Sequence, residues 1–208
     1  MLTDMNLPLI LLAFFLAAGS PGPATMAVAG TSMASGRKMG MTLALGVFCG
    51  SLTWSFSAAF GLAAIMMAHA WIFEILRYVG AAYLLYLAFV SGRAAFLSSG
   101  VGLSPVVITA PAKAFRKGLA LHLTNPKAIL FYGSVYSVGL PPETTPVQLA
   151  VVMGSLAFCS FTVFLGYGYL FSIDRVRRGY AKTARVFNGL FAMLFGFVGV
   201  RLLTARLV

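Results

Sequence analysis

An apolar run from residue 7 to 35 is interrupted near its centre by Pro21-Gly22-Pro23, and a second, from 117 to 139, by Asn125-Pro126-Lys127. Proline inside a helix removes a backbone hydrogen bond and clashes with the preceding turn, at about 3 kcal/mol. In hydrocarbon no water replaces the lost bond, so irregular backbone survives there only where it is buried in protein or lines a polar cavity. A lysine at a membrane helix centre costs roughly 2.5–3.5 kcal/mol more. A chain with both breaks must therefore gather them into a protein-lined interior. The alternative is that both are packing kinks and that Lys127 snorkels to an interface.

The membrane setting follows from composition. Of 208 residues, 60% are hydrophobic and 9% charged, and the mean hydropathy is +0.94. A soluble domain carries about 25% charged residues. Six apolar segments can be drawn, at 7–35, 40–67, 70–92, 117–139, 146–172 and 186–204. About 20 helical residues cross the hydrocarbon, so the first, second and fifth must tilt, break or project beyond it. The expected fold is an all-α integral membrane protein of six transmembrane helices, with helices 1 and 4 broken by the proline motifs. The net charge of +11 does not point to nucleic acid, because the basic residues cluster between apolar runs rather than on a soluble face.

Those clusters set an orientation. Arg37 and Lys38 follow segment 1; Arg93, Lys113, Arg116 and Lys117 follow segment 3; Arg175, Arg177, Arg178, Lys182 and Arg185 follow segment 5. The alternate connections, around His69 and from Pro141 to Pro146, carry no Lys or Arg. The positive-inside rule then puts the three basic connections in the cytoplasm and both termini outside a cytoplasmic (inner) membrane. No Lys or Arg precedes Arg37, so the first run is expected to be a retained span rather than a cleaved signal. A linker at 93–116 separates segments 1–92 and 117–208, three spans each. Three is odd, so the halves cross in opposite senses, and they are expected to form inverted three-helix repeats.

Breaks in the first helix of each half mark a binding site. Asn125 or Thr124 can cap a new helix, with Pro126 at its first position. A second half-helix starts after Pro21-Gly22-Pro23. Each start presents N–H groups and about half a positive charge, and Lys127 adds a full one. The predicted substrate site is Pro21, Gly22, Pro23, Ala24, Thr25, Asn125, Pro126, Lys127 and Tyr132. A carboxylate would meet the helix starts and Lys127, and an ammonium the carbonyls freed at Ala18, Gly19 and Leu123, helped by Thr25 or Tyr132. Lys127 has an alternative use, a structural bond to span 1 carbonyls.

The only acids are Asp4, Glu74, Glu143 and Asp174, none near a span centre. A cationic side chain would find no carboxylate partner, so a neutral amino acid is expected. Lys127 and His122 are the candidate proton carriers, the alternative for His122 being an interfacial place near the cytoplasm. Neither a metal site, a cofactor nor a catalytic constellation is indicated. Cys49 and Cys159 sit in corresponding spans and raise the alternatives of a thiol-redox carrier or, more blandly, packed thiols; a non-transporting scaffold or lipid-handling protein is a further alternative. The Gly36/Gly40 and Gly46/Gly50 spacings suit close helix packing, within one chain or in a homodimer. Trp71 suits an interface anchor and Trp54 packing.

Together "PGP" in span 1, "GAAYLLYLAF" from Gly80 to Phe89, "FRKGLALHLTNPKAILFY" from Phe115 to Tyr132 and the late "GFVGVRLL" resemble the lysine/threonine exporter family of LysE/RhtB-type amino-acid efflux proteins, over nearly the whole chain. The resemblance implies a six-span inner-membrane exporter of amino acids working in exchange for protons. The chain departs from the family pattern at Ala24, where members often carry Asn, and at Gly50-Ser51, where many carry an acid.

Overall fold

The structure, a computed structural model, describes residues 7–20, 22–68, 70–96, 107–140 and 144–204. Pro21, Asp4, His69 and Glu143 lie outside the described residues. All the regular structure described is helical: α1 (Leu7–Gly19), α2 (Pro23–Ala68), α3 (Ala70–Phe96), α4 (Pro111–Leu123), α5 (Pro126–Gly139), α6 (Pro146–Leu170) and α7 (Asp174–Thr204). Helix α2 bends at Gly36, whose φ of 82° and ψ of 170° separate a segment at 23–35 from one at 37–68. Positive φ favours glycine, so a residue that reads as half of a packing motif serves instead as a corner. The first apolar run is thus α1 plus the first segment of α2, and the fourth is α4 plus α5. Both fall apart at the proline motifs.

Two differences from the sequence reading concern helix length. Helix α7 begins at Asp174, so the basic stretch after segment 5 is helical and continuous with the last apolar run. Helix α4 begins at Pro111, ahead of the apolar pattern, because Lys113, Arg116 and Lys117 decorate an amphipathic first turn and a half. Two described stretches have the length and apolar composition of a full crossing, Pro23–Gly61 and Pro146–Leu170; Ile10–Gly19, Ala81–Phe96 and Asn188–Phe197 are shorter apolar stretches.

Glycine sets how closely the helices pack. A Cβ on Gly46 would strike the Phe115 carbonyl and stand 2.8 Å from the Leu119 nitrogen, and one on Gly118 would strike the Leu43 carbonyl. The second segment of α2 therefore lies backbone to backbone along α4, and the two run in the same direction. Gly168 of α6 is close, though less tight, against Gly40 and Met41, at 3.2–3.3 Å. Ser32 Oγ donates to the Gly168 carbonyl at 2.9 Å. Gly40, Gly46 and Gly50 thus make their close contacts inside one chain. Helices α3 and α7 pack antiparallel, with Gly92 against Ala192, Gly196 against Ala88 and Gly199 against Leu85.

Burial divides into two apolar clusters. One holds Ile10, Phe14 and Ala17 of α1, Ala59 of α2, Phe131 and Tyr136 of α5, and Val152 and Leu156 of α6. The other holds Ala24, Val28, Leu43 and Val47 of α2, Ala114 of α4 and Phe164 of α6. The second cluster lies toward the basic connections, the first away from them. Helices α2 and α6 pass from one cluster to the other along their length, and α4 hands over to α5 at the Asn125 break.

The glycine contacts give a direct test. Gly118→Ala and Gly46→Ala force the α2–α4 pair apart and are expected to cost about 1–3 kcal/mol each, seen as a lowered thermal midpoint in detergent. Gly154→Ala, with no heavy atom within 4 Å of the added carbon, should hold the midpoint or raise it, by relieving glycine's helix cost of about 0.5–1 kcal/mol.

Candidate functional site

Between the two clusters the broken helices line a partly open cavity. Helix α1 gives Phe14, Ala17 and Ala18, the break after it Ser20 and Gly22, and α2 Ala24, Thr25 and Ser51. His122, Asn125, Lys127, Ala128, Phe131, Tyr132 and Phe164 complete the wall.

The α5 start is built as the sequence suggests. Asn125 is the N-cap: its side-chain oxygen accepts from the Lys127 N–H at 3.1 Å, and Pro126 occupies the first turn. The Asn125 carbonyl then accepts from the N–H groups of Ala128 at 2.9 Å and Ile129 at 3.1 Å. This overturns the expectation that the α5 start offers free N–H groups to a ligand, because its own cap and turn consume them. The α2 start differs. Thr25 Oγ1 accepts from the Gly22 N–H at 3.0 Å and donates to the carbonyls of Ser20 and Gly22. Met26 N–H reaches the Gly22 carbonyl at 2.9 Å. Among the described residues the N–H groups of Ala24 and Thr25 have no hydrogen-bond partner, in contrast to the capped α5 start.

Lys127 joins the two breaks. Its ammonium donates to the Ser20 carbonyl at 3.2 Å and to the Ser20 hydroxyl, and a Cβ on Gly22 would stand 3.3 Å from it. Phe195 of α7 lies below it, with Nζ 6.0 Å from the ring centre. The bond to the end of α1 is therefore made, and the same ammonium lines the cavity. Phe14 meets Phe131 at a tilt and Tyr132 edge-on, with ring centres 5.6 and 5.5 Å away. Moving back along α1 from Ser20 to Phe14 follows α5 forward from Lys127 to Tyr132, so the interrupted spans run in opposite directions.

The carbonyls at the end of α1 are not all free for an ammonium. Tyr167 of α6 donates to the Gly19 carbonyl at 2.5 Å, and Ser20 is held by Lys127. Gly19 therefore drops out of the expected acceptor set. Ala18 lines the cavity, but Leu123 is not among its lining residues.

His122 is buried in the protein and lines the cavity. It is 4% exposed, with Nε2 3.0 Å from Ser51 Oγ and its ring edge-on to Phe164. Its carbonyl accepts from Trp54 Nε1 at 3.2 Å, which accounts for Trp54 as a packing residue with a placed N–H. Gly50 leaves room for this histidine, since an added Cβ would stand 2.9 Å from its Cβ. Where the chain departs from the resembled family at Gly50-Ser51, Gly50 gives His122 its packing surface and Ser51 bonds it.

Of the expected site residues, Gly22, Ala24, Thr25, Asn125, Lys127 and Tyr132 line the cavity. Pro23 and Pro126 shape it as first residues of α2 and α5. Sequence reasoning missed Ser20, Ser51, Phe14, Phe131 and Phe164. The signal for Ser20 was present in its place beside the "PGP" break, whereas Ser51 and the phenylalanines needed the helix packing to be known. Cys49 and Cys159 are free thiols and neither lines the cavity. Among the described residues no cluster of His, Cys, Asp or Glu could hold a metal ion.

A cavity walled by helix breaks inside an apolar helical bundle is the architecture of a membrane transporter. The chain belongs to the LysE type translocator family, whose model matches residues 15–206. It is 32% identical over 194 residues to a threonine efflux protein of Escherichia coli, covering 90% of this chain and 92% of the relative. It is 36% identical over 193 residues to a leucine efflux protein of Salmonella typhimurium, covering 89% of each. No solved structure matches. The family consists of transporters rather than enzymes, and its named relatives export amino acids.

Removing the Asn125 cap should weaken the site without emptying the fold. Asn125→Ala is expected to lower stability by about 1 kcal/mol, and Asn125→Asp to keep most of it, both measurable as thermal midpoints in detergent.

Proposed function

We propose that this chain exports a small neutral amino acid across the cytoplasmic membrane in exchange for protons. The observation that carries the reading is the make-up of the cavity. An ammonium, hydroxyls and an amide stand among Phe14, Phe131 and Phe164, and no carboxylate is among the described lining residues. A zwitterion suits such a wall, its carboxylate toward Lys127 and the α2 start, and its ammonium toward Ala18 and the hydroxyls of Ser20 and Thr25. An aliphatic side chain then lies against the phenylalanines. Threonine and leucine, the substrates in the names of the two relatives, both fit this description, and a lysine side chain would lack a counter-charge.

The transport frame is six spans in two inverted three-helix repeats, at 1–92 and 117–208. Support comes from helix direction. A twofold axis in the membrane plane makes counterpart helices antiparallel. The second segment of α2 lies antiparallel to α6, with Met41 near Gly168 and Phe48 on Phe161, and α3 lies antiparallel to α7. Orientation, with both termini outside, rests on the basic connections. Proton exchange rests on Lys127 and His122, the titratable side chains in the wall besides Tyr132. The substrate and the lipid are the partners this reading requires; a homodimer is compatible with the exposed apolar faces of α3 and α7, such as Tyr86, Phe89, Met193 and Phe197.

The test is efflux from loaded vesicles with a panel of amino acids. Neutral aliphatic and hydroxyl amino acids should leave and lysine should stay; selective lysine efflux overturns the assignment. Lys127→Ala should reduce efflux about tenfold or more, the loss of a charge-assisted bond. Substrate-driven proton movement in liposomes that survives His122→Ala leaves Lys127 as the carrier. A Cys49→Ala/Cys159→Ala variant should export at the wild-type rate, and its inactivity would favour thiol chemistry instead.

A further inference from the structure

The apolar cluster away from the basic connections contains a seam of hydroxyl groups that apolar packing does not require. On α2, Ser51 is followed one turn later by Ser55, and on α5 Tyr132 is followed by Tyr136, a spacing that keeps each pair on one helix face. Ser51 and Tyr132 belong to the cavity wall. The Tyr132 hydroxyl faces both Ser51 and Ser160 of α6, and Ser160, fully buried, makes no hydrogen bond of good geometry through its Oγ. One turn further out, Ser55 Oγ and the Tyr136 hydroxyl are 2.6 Å apart, and Tyr136 is fully buried.

Hydroxyls elsewhere on the same helices behave differently. Thr53 of α2 donates to the Cys49 carbonyl and Thr162 of α6 to the Phe158 carbonyl, the usual way a serine or threonine satisfies itself within a helix. Both are exposed. The Ser160 hydroxyl makes no such bond, and Ser55 spends its bond across to Tyr136. A buried hydroxyl that is poorly bonded is destabilising, and alanine or phenylalanine would fill the same space without that cost. The arrangement makes sense if a polar solute passes along it, meeting a hydroxyl at about each helical turn of 5.4 Å.

We propose that this seam is the release path of the transported amino acid, leading from the cavity to the side away from the basic connections, and that the Ser55–Tyr136 hydrogen bond is the gate that closes it in this conformation. The proposal rests on the export reading for its cargo. The gate opens when Tyr136 leaves Ser55, and Ser160 then becomes a bonding site for the passing ammonium or carboxylate.

The experiment uses the full chain in intact cells, in the Cys49→Ala/Cys159→Ala background. Ser160→Cys places a reporter thiol behind the gate, and a membrane-impermeant methanethiosulfonate is added outside. Labelling should be slow with the gate intact and about fivefold faster with Tyr136→Phe, the population shift that one net hydrogen bond supplies. Equal rates, or labelling only from the cytoplasmic face of inverted vesicles, overturns the proposal. A second measurement needs no reporter: Tyr136→Phe and Ser55→Ala, each alone in the native chain, should raise entry of external labelled neutral amino acid into de-energised cells about fivefold. Unchanged entry in both variants also overturns it. Absence of any amino-acid efflux by the wild type would instead defeat the export reading, while the labelling ratio would still report on the gate.

Discussion

The contact between Lys127 and Ser20 decides how this chain can be arranged. One residue belongs to the start of a helix in the second half of the chain, the other to the end of a helix in the first. Each sits at a break whose backbone has lost part of its helical bonding, in a setting without water to replace it. Bringing the breaks together lets the ammonium of one serve the carbonyl and hydroxyl of the other. The cost of burying a lysine and the cost of interrupting a helix offset each other only in that pairing. The opposed directions of α1 and α5 follow, because Phe14 can reach Phe131 and Tyr132 only if the two helices run past each other in contrary senses.

The remaining packing holds that contact in place. Helix α6 ties itself to the end of α1 through Tyr167 and to the first segment of α2 through Ser32 and Gly168. Helix α4 is drawn onto α2 along Gly46 and Gly118, which delivers His122 to Ser51. The two apolar clusters lie on either side of the breaks, so the cavity is bounded by close-packed side chains toward both ends of the bundle. In the export reading, movement of substrate requires one cluster to part while the other stays closed. Packed interiors are bistable rather than continuously deformable, which suits a choice between two openings.

Much of this was legible in the sequence because it rests on residues with few options. Proline dictates where a helix starts, so the ends of α1, α2, α4 and α5 fall where Pro23 and Pro126 place them. Asparagine before proline forecasts a cap, and Asn125 is one. What stayed hidden depends on partners from elsewhere in the chain. Ser51 looks like any helix serine until α4 brings His122 against it. Gly36 looks like a packing glycine until its backbone angle shows a corner. The engaged N–H groups at the α5 start follow from Asn125 itself, whose side chain and carbonyl take the first-turn donors. A cap that satisfies the turn leaves nothing there for an anion.

That last point gives the two breaks unequal roles. At the α5 start, Asn125 and its carbonyl occupy the first-turn donors, and what remains is the fixed charge of Lys127, itself anchored to Ser20. At the α2 start, position 24 is alanine, which has no side chain able to cap. Thr25 braces the turn by bonding Gly22 and Ser20, and the Ala24 N–H is left without a partner among the described residues. An asparagine at position 24 would bring an amide into the cavity at this point, whereas alanine leaves space there. If a carboxylate binds, the geometry favours a position between the α2 start and Lys127, with the capped α5 start acting as support rather than as ligand. In the proposed export reading the substrate side chain would then lie toward Phe14, Phe131 and Phe164, where apolar contact rather than charge would select it.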